Sequence, residues 1–343
     1  MRTLVLNKPG RLALTDTPAP ADPGPGQALV RVHRVGVCGT DIHAFGGNQP
    51  FFTYPRILGH ELGVEVVAVG EGVANVAPGD RAAVEPYLNC GTCAACARGC
   101  TNCCETLTCM GVHGDGGMRE RILVPAQKLH VSKTLTLDQL ALVETMGIGK
   151  HAVDRAFTIG GFAEGDTVAV IGLGSIGLTA VQFALLAGAR VVGVDLSATR
   201  CETAKRLYPA LDTASFDPAQ PIEAQWAARL GDAPRAVFDA TGHRGSMQSA
   251  FALPGPGGTL VFIGLVLGDI TFDDPAFHKK ELTLPSSRNA VAKDFLEIIQ
   301  HMEAGRIDVA PWITHRADAA DWPGVFDRWL APDAGLLKGM VSF

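Results

Sequence analysis

The sequence predicts an α/β protein of two domains, a doubly wound nucleotide-binding domain and a β-rich, barrel-like one. Three observations carry that expectation. The chain has 343 residues, longer than one hydrophobic core usually supports. Its middle holds a glycine-rich turn between an apolar strand and an apolar helix, in "TVAVIGLGSIGLTAVQFALLAGARVVGVD". Its first 149 residues instead show short valine runs and turn signals such as "APGDR", Ala77–Arg81. The nucleotide domain is expected over residues 150–285 and the β-rich domain over 1–149 with 286–343. In the C-terminal segment "ITHRADAADW" reads as an edge helix and "LLKGMVSF" as the final strand. The active site is expected in the cleft between domains, where ligand pockets commonly form.

Composition narrows the function classes. Hydrophobic residues make up 47% and charged ones 19%, an ordinary globular balance. A net charge of −6 without a Lys/Arg cluster argues against nucleic acid or an anionic membrane surface as partner, and for a small molecule. The N-terminus shows no secretory signal, so a reducing, cytoplasmic setting is expected. There, closely spaced cysteines serve more often as metal ligands than as disulfides. Thr167–Ala189 is uncharged and long enough to span a bilayer, but four glycines interrupt it.

Three of those glycines make the nucleotide motif. A strand over Val168–Ile171, a helix to about Ala187 and a second strand over Val191–Val194 frame Gly172, Gly174 and Gly177 as G-x-G-x-x-G. The first glycine permits the tight turn, the second lets a pyrophosphate approach the backbone, and the third lets helix pack on strand. Ser175 and Ile176 lie between the last two, where the helix N-terminus offers free amides to phosphate. Asp195 ends the next strand, eighteen residues past Gly177. Its carboxylate accepts hydrogen bonds from ribose hydroxyls and repels a 2′-phosphate, which favours NAD over NADP. Arg200 is then expected near the adenine. The alternative is a buried βαβ unit with incidental glycines. "AVFDATG" (Ala236–Gly242) and "GGTLVFIGL" (Gly257–Leu265) read as further strands of the same sheet.

Six cysteines crowd into Cys90–Glu105. Cys90, Cys93, Cys96 and Cys104 form C-x2-C-x2-C-x7-C, a spacing that suits tetrahedral zinc. Cys90, Cys93, Cys96 and Cys100 also form C-x2-C-x2-C-x3-C, an iron–sulfur spacing, but Thr101 stands where the ferredoxin run has proline. A closed four-cysteine site has no open coordination position, so it staples a loop and does no chemistry. Cys100, Cys103 and Cys109 are left as thiols under the loop or as alternative ligands, and Cys201 as a helix residue of the nucleotide domain.

A second constellation offers chemistry. "GVCGTDIHAFGG" carries Cys38, Thr40, Asp41 and His43, and "YPRILGHELGVEV" carries His60 and Glu61. A thiolate, an imidazole and a carboxylate together can hold Zn²⁺ and leave one position for a substrate oxygen. Glu144 is either a fourth ligand or a helix N-terminal carboxylate.

The order Cys38-Gly39-Thr40-Asp41-x-His43, Gly59-His60-Glu61, the four-cysteine loop, Glu144 and then G-x-G-x-x-G resembles the zinc-dependent medium-chain dehydrogenases, over essentially the whole chain. Within that family the chain is most similar to the sorbitol and sugar-acid dehydrogenase branch, in segments such as "GTDIHAFGGNQPFFTYPRILGHE", "TNCCE" and "SSRNA". The resemblance implies a Rossmann domain with a GroES-like catalytic domain, NAD, and two zinc ions per chain, one catalytic and one structural. It makes Cys38, His60 and Glu61 the catalytic-zinc ligands and Glu144 the nearby glutamate that exchanges with water or binds directly. Asp41 matches the carboxylate that orients the zinc-bound histidine, and Thr40 and His43 match the proton relay. Ser287 and Arg288 lie where the branch contacts the cofactor's ribose and phosphates, and Gly264 and Leu265 end the strand facing the nicotinamide. Glu144 is followed by Thr145, Met146 and Gly147, where the branch usually has a proline.

The activity implied is hydride transfer to NAD from a secondary hydroxyl of a sugar acid or polyol. An L-galactonate-type acid oxidised at C5 is the specific expectation; a general secondary-alcohol, butanediol or sorbitol-type dehydrogenase is the alternative. A zinc-free reductase would lack Cys38, His60 and Glu61, and a non-catalytic NAD-binding protein would have no use for Thr40 and His43. Asn48 and Gln49 are candidate partners of substrate hydroxyls, Phe45 and Phe51 candidate pocket walls, and Arg288 or Arg56 candidate partners of a carboxylate. Each also has a plainer reading as a turn residue or a surface charge. Family resemblance also implies a homodimer or homotetramer.

Overall fold

The computed structural model describes residues 1–49, 52–331 and 334–343, so Phe51 lies outside the described residues. The chain divides into two units, Met1–Thr145 with Ala290–Phe343, and Met146–Asn289.

The second unit is built on a five-stranded parallel sheet in the order Asp212–Ser215, Arg190–Asp195, Thr167–Ile171, Ala236–Asp239, Thr259–Phe262. The chain winds outward in one direction from Thr167–Ile171, then returns to its other side at Ala236–Asp239. That reversal is the topological switch point of a doubly wound sheet. The strands at the switch point are buried nearly end to end, because helices cover both faces of such a sheet. The helix Ser175–Leu186 is buried from Gly177 to Ala184, which accounts for the long apolar stretch. Among the described residues no helix is long and apolar enough to cross a membrane.

The first unit centres on the long strand Gln27–Val37. Its first half pairs with Arg121–Pro125 and its end with the C-terminal strand Lys338–Ser342, both antiparallel. On its other edge it pairs with Glu61–Val69, followed by Arg81–Val84 and Leu129–Val131. The C-terminal segment therefore completes the sheet of the N-terminal one. Leu4, Val30, Val64, Met118, Trp322 and Phe326 fill the core of this unit, each 1% exposed or less.

One sequence reading is corrected here. Ile313–Asp318, expected as an edge helix, is a strand parallel to Lys338–Ser342. Its residues alternate between half-buried and exposed, the period of two that marks a strand. The helix begins later, at Trp322–Trp329, where Pro323 supports the first turn.

Candidate active site and metal centres

Strand pairing assembles the first cluster. Glu61 opens its strand opposite Gly36 of the long strand, two residues before Cys38. A side chain at Gly36 would place its Cβ 2.0 Å from Glu61 Oε2, so the glycine makes room for the carboxylate. Cys38 caps the helix Gly39–Gly46, and its backbone N–H donates to Asp41 Oδ2 at 2.9 Å. His60 precedes Glu61, and Asp41 Oδ1 lies 4.0 Å from His60 Nδ1.

Donor atoms of Cys38, His60 and Glu61 all lie within 4.8 Å of one another. His60 and Glu61 are buried, yet His60 Nδ1, Glu61 Oε2 and Asp41 Oδ1 have no hydrogen-bond partner among the described residues. Buried polar atoms are rarely left so, and a thiolate, imidazole and carboxylate form a catalytic-zinc donor set. The residues thus fit a divalent ion. Burial works to lower the His60 imidazole, but Cys38, Asp41 and Glu144 outweigh it and hold His60 well above its ordinary value. Burial likewise raises Asp41, against the opposing pull of His60. Such a concentration of acidic donors is a place for a cation.

Two buried residues that sequence reasoning missed grip the carboxylates. Lys338 Nζ donates to Glu61 Oε1 at 2.7 Å and to the Val37 carbonyl at 3.4 Å. Lysine is almost never buried unless paired, so its place in the apolar "KGMVSF" was the available signal. Glu144, on the helix Leu137–Thr158, accepts a hydrogen bond at Oε1 from the Tyr87 phenol. It stands well inside that helix, so it is not an N-terminal carboxylate. Burial pushes both groups up, Tyr87 well above the ordinary phenol and Glu144 above the ordinary carboxyl despite His60. Nothing in the sequence around Tyr87 marks this contact.

The other expected residues of this unit divide. Thr40 is half-buried and His43 exposed on the Gly39–Gly46 helix, and His43 Nδ1 lies 3.2 Å from Asn48 Oδ1. Gln49 is half-buried. Phe45 is half-buried and packs edge-to-face on Phe326 at 4.8 Å, against the hydrophobic core. Arg56 is engaged with Asp115 at 3.6 Å and sits over the Phe52 ring.

The second cluster brings Cys90, Cys93, Cys96 and Cys104 together within 4.8 Å, the zinc spacing and not the iron–sulfur one. Cys90 N donates to Cys104 Sγ at 3.2 Å, and Cys93 N to Cys90 Sγ at 3.3 Å. Backbone amides of Thr92 and Cys93 pull the Cys90 thiol down to about 5. The Cys93 thiol is also pulled down by backbone amides, whereas burial pushes Cys96 up to about 11, so the thiolate character lies with Cys90 and Cys93. Cys100 and Cys103 are exposed, not under the loop as expected. Cys109 is buried, which pushes its thiol up to about 12, and Cys201 is buried on the helix Ala198–Leu207.

In the second unit Gly172 has φ +90°, and a Cβ on Gly177 would fall 1.7 Å from the Gly172 carbonyl oxygen. A Cβ on Gly174 would meet nothing within 4 Å, which leaves space for a ligand. Ser175 and Ile176 begin the helix. Asp195 accepts from Leu173 N at 2.7 Å and Ser197 N at 2.8 Å, so backbone amides fix its carboxylate at the strand end. Arg200, expected near the adenine, has Nη1 3.6 Å from Asp195 Oδ2. Gly264 donates to the Asp239 carbonyl, Leu265 is 72% exposed, and Arg288 is exposed. Ser287 donates its N–H to the Phe262 carbonyl, while its buried Oγ has no partner among the described residues.

The chain belongs to the zinc-dependent medium-chain dehydrogenase family. Residues 24–134 match the alcohol dehydrogenase GroES-like domain and residues 175–304 the zinc-binding dehydrogenase domain. The chain is 41% identical over 345 residues to L-galactonate-5-dehydrogenase of Escherichia coli K12, covering 100% of this chain and 99% of that protein. An alcohol dehydrogenase of E. coli CFT073, solved with the cofactor NADH, superposes with a TM-score of 0.90 at 29% identity, covering 100% and 99% of the two chains. A zinc-binding dehydrogenase of Sinorhizobium meliloti 1021 bound to NADP gives 0.88 at 30% identity, with the same coverage.

Proposed function

We propose that this protein is a zinc-dependent dehydrogenase that passes hydride from a secondary hydroxyl of a sugar acid to NAD⁺. The observation that carries this reading is the buried set of Cys38, His60 and Glu61, whose donor atoms converge within 4.8 Å. Three protein ligands leave a position for substrate, as catalytic sites do and closed structural sites do not. Bound zinc supplies Lewis acidity, of the strength that lowers the pKa of water from 15.7 to about 7.

The chain's own residues do the rest. Asp41 Oδ1, 4.0 Å from His60 Nδ1, is the carboxylate that would orient the ring. Lys338 occupies one oxygen of Glu61 and leaves Oε2 for the metal. Thr40 accepts the hydroxyl proton, and His43, exposed beside Asn48, releases it to solvent. The substrate carbon thereby loses a hydride to the cofactor and its oxygen a proton, leaving a ketone. Cys90, Cys93, Cys96 and Cys104 hold a second, structural zinc.

In this reading residues 150–285 bind the nucleotide through Gly172, Gly174, Ser175, Ile176, Gly177 and Asp195, aided by Gly264, Leu265, Ser287 and Arg288. The strand-end carboxylate of Asp195 favours NAD, in line with the relative solved with NADH. The sugar acid rests on the similarity to L-galactonate-5-dehydrogenase, with oxidation at C5 and with Asn48, Gln49 and Arg288 as candidate partners of hydroxyls and carboxylate. The enzyme would work as a homodimer or homotetramer in the cytoplasm.

Absorbance of NADH with purified protein, aldonates, polyols and simple alcohols, beside NADP⁺, tests the reading. Turnover of an aldonate with NAD⁺ is expected. Reaction with polyols or simple alcohols alone would remove the sugar acid but keep the dehydrogenase, and silence across the panel in zinc-loaded protein would count against catalysis.

A further inference from the structure

Two glutamates approach the catalytic cluster, and the fold treats them differently. Glu61 has one oxygen on Lys338 and the other buried without a partner, beside the space left by Gly36. Glu144 is buried too, but its Oε1 receives the Tyr87 phenol, and it is not among the side chains whose donor atoms converge.

Tyr87 is firmly placed. It begins the short strand Tyr87–Leu88, which pairs with Thr108–Cys109 and leads into the four-cysteine loop at Cys90. Its ring is 2% exposed and packs edge-on to Phe295 at 6.4 Å. The phenol therefore has little freedom to leave the carboxylate.

We propose that Tyr87 is a positioning residue that keeps Glu144 off the catalytic metal, so that Cys38, His60 and Glu61 alone ligate at rest and the fourth position stays open. This rests on the metal-centre reading above. A fourth protein ligand would close the tetrahedron and turn a catalytic site into a structural one. Without the phenol, Glu144 would be a buried carboxylate short of a donor, and a divalent cation held by Cys38, His60 and Glu61 would attract it, beside Lys338. The loop held by the structural metal thus anchors the tether that keeps the catalytic position free.

Protein with zinc in the four-cysteine site and cobalt(II) in the other reports the coordination directly through its visible absorption. The E144Q variant should keep the wild-type cobalt spectrum, because Glu144 is not a ligand. Y87F should change the spectrum and slow loss of cobalt to a chelator by about tenfold, the size of effect typical for residues that support a ligand. The double variant Y87F/E144Q should return both readouts to wild type, which a merely structural role for Tyr87 would not produce. An altered spectrum in E144Q, or an unaltered one in Y87F, overturns the proposal, and should Y87F fail to fold, an altered E144Q spectrum still overturns it. Failure of wild-type protein to take up cobalt outside the four-cysteine site would overturn the metal-centre reading itself, an outcome separate from either spectrum.

Discussion

Lys338 Nζ lies 2.7 Å from Glu61 Oε1, and both residues are 1% exposed. The contact ties the strand Lys338–Ser342 to the one that Glu61 opens. Removing one partner of a buried ion pair leaves an uncompensated charge and costs about 3–5 kcal/mol. We therefore expect Lys338→Met to lower thermal stability and to weaken zinc binding about 10–100-fold. Competition with a chromogenic chelator measures the affinity. Wild-type affinity and melting in the variant would show that Lys338 supports neither.

Replacing Cys38 by Ser removes the softest donor of the cluster. Turnover should disappear while NADH binding, read by fluorescence, stays within about twofold, a difference of less than about 0.5 kcal/mol. Retained turnover would mean that the cluster is misassigned.

The four-cysteine site separates two neighbouring thiols. Cys104 contributes to the converging donors, whereas Cys100 is exposed and outside them. Cys104→Ser should lose about one equivalent of zinc and Cys100→Ser none, because a structural site needs all four ligands. Metal analysis after gel filtration decides, and loss of zinc from the Cys100 variant would restore the other spacing.

Asp195 is held by two backbone amides at its strand end, and in the nucleotide-binding reading its carboxylate would repel a 2′-phosphate. Asp195→Asn keeps the shape and removes the charge. The ratio of kcat/KM for NAD⁺ over NADP⁺ should fall on the order of tenfold, about 1.4 kcal/mol. An unchanged ratio would transfer cofactor choice to other residues, with Arg200 first among them.

What could be read in the sequence and what could not follows from the range of the interaction. The G-x-G-x-x-G turn was legible because a positive φ at Gly172 and a 1.7 Å approach at Gly177 each demand glycine locally. The cysteine spacing was legible because a short loop fixes the geometry of four thiolates. Cys38, His60 and Glu61 were named together, and the pairing of their two strands brings their donors together. Lys338 and Tyr87 escaped because their partners lie 277 and 57 residues away. The strand Ile313–Asp318 escaped for a related reason: it reads as a helix only when joined to the alanines that follow it in "ITHRADAADW", and its pairing with Lys338–Ser342 makes it a strand.

Asp239 gives a pH test that is independent of both metal centres. It ends a central strand of the second unit, is fully buried, and accepts hydrogen bonds from Thr241 N, Thr241 Oγ1 and Ser246 Oγ. Burial outweighs those donors and raises its carboxyl above the ordinary value of 3.8. A folded-state pKa above the unfolded one means that the native protein holds this proton more tightly. The resulting stability is fully present below the unfolded pKa and is lost as pH rises through the folded pKa. Asp239→Asn keeps an acceptor for Thr241 and offers a donor to Ser246 Oγ, but it does not titrate. Urea midpoints of wild type and variant should therefore diverge in the variant's favour as pH is raised from about 4 to 7, the interval above the ordinary carboxyl pKa. The comparison cancels every other titrating group shared by the two proteins. A difference that stays constant with pH would show that Asp239 ionises as readily in the fold as outside it, and that its three donors offset the cost of burial.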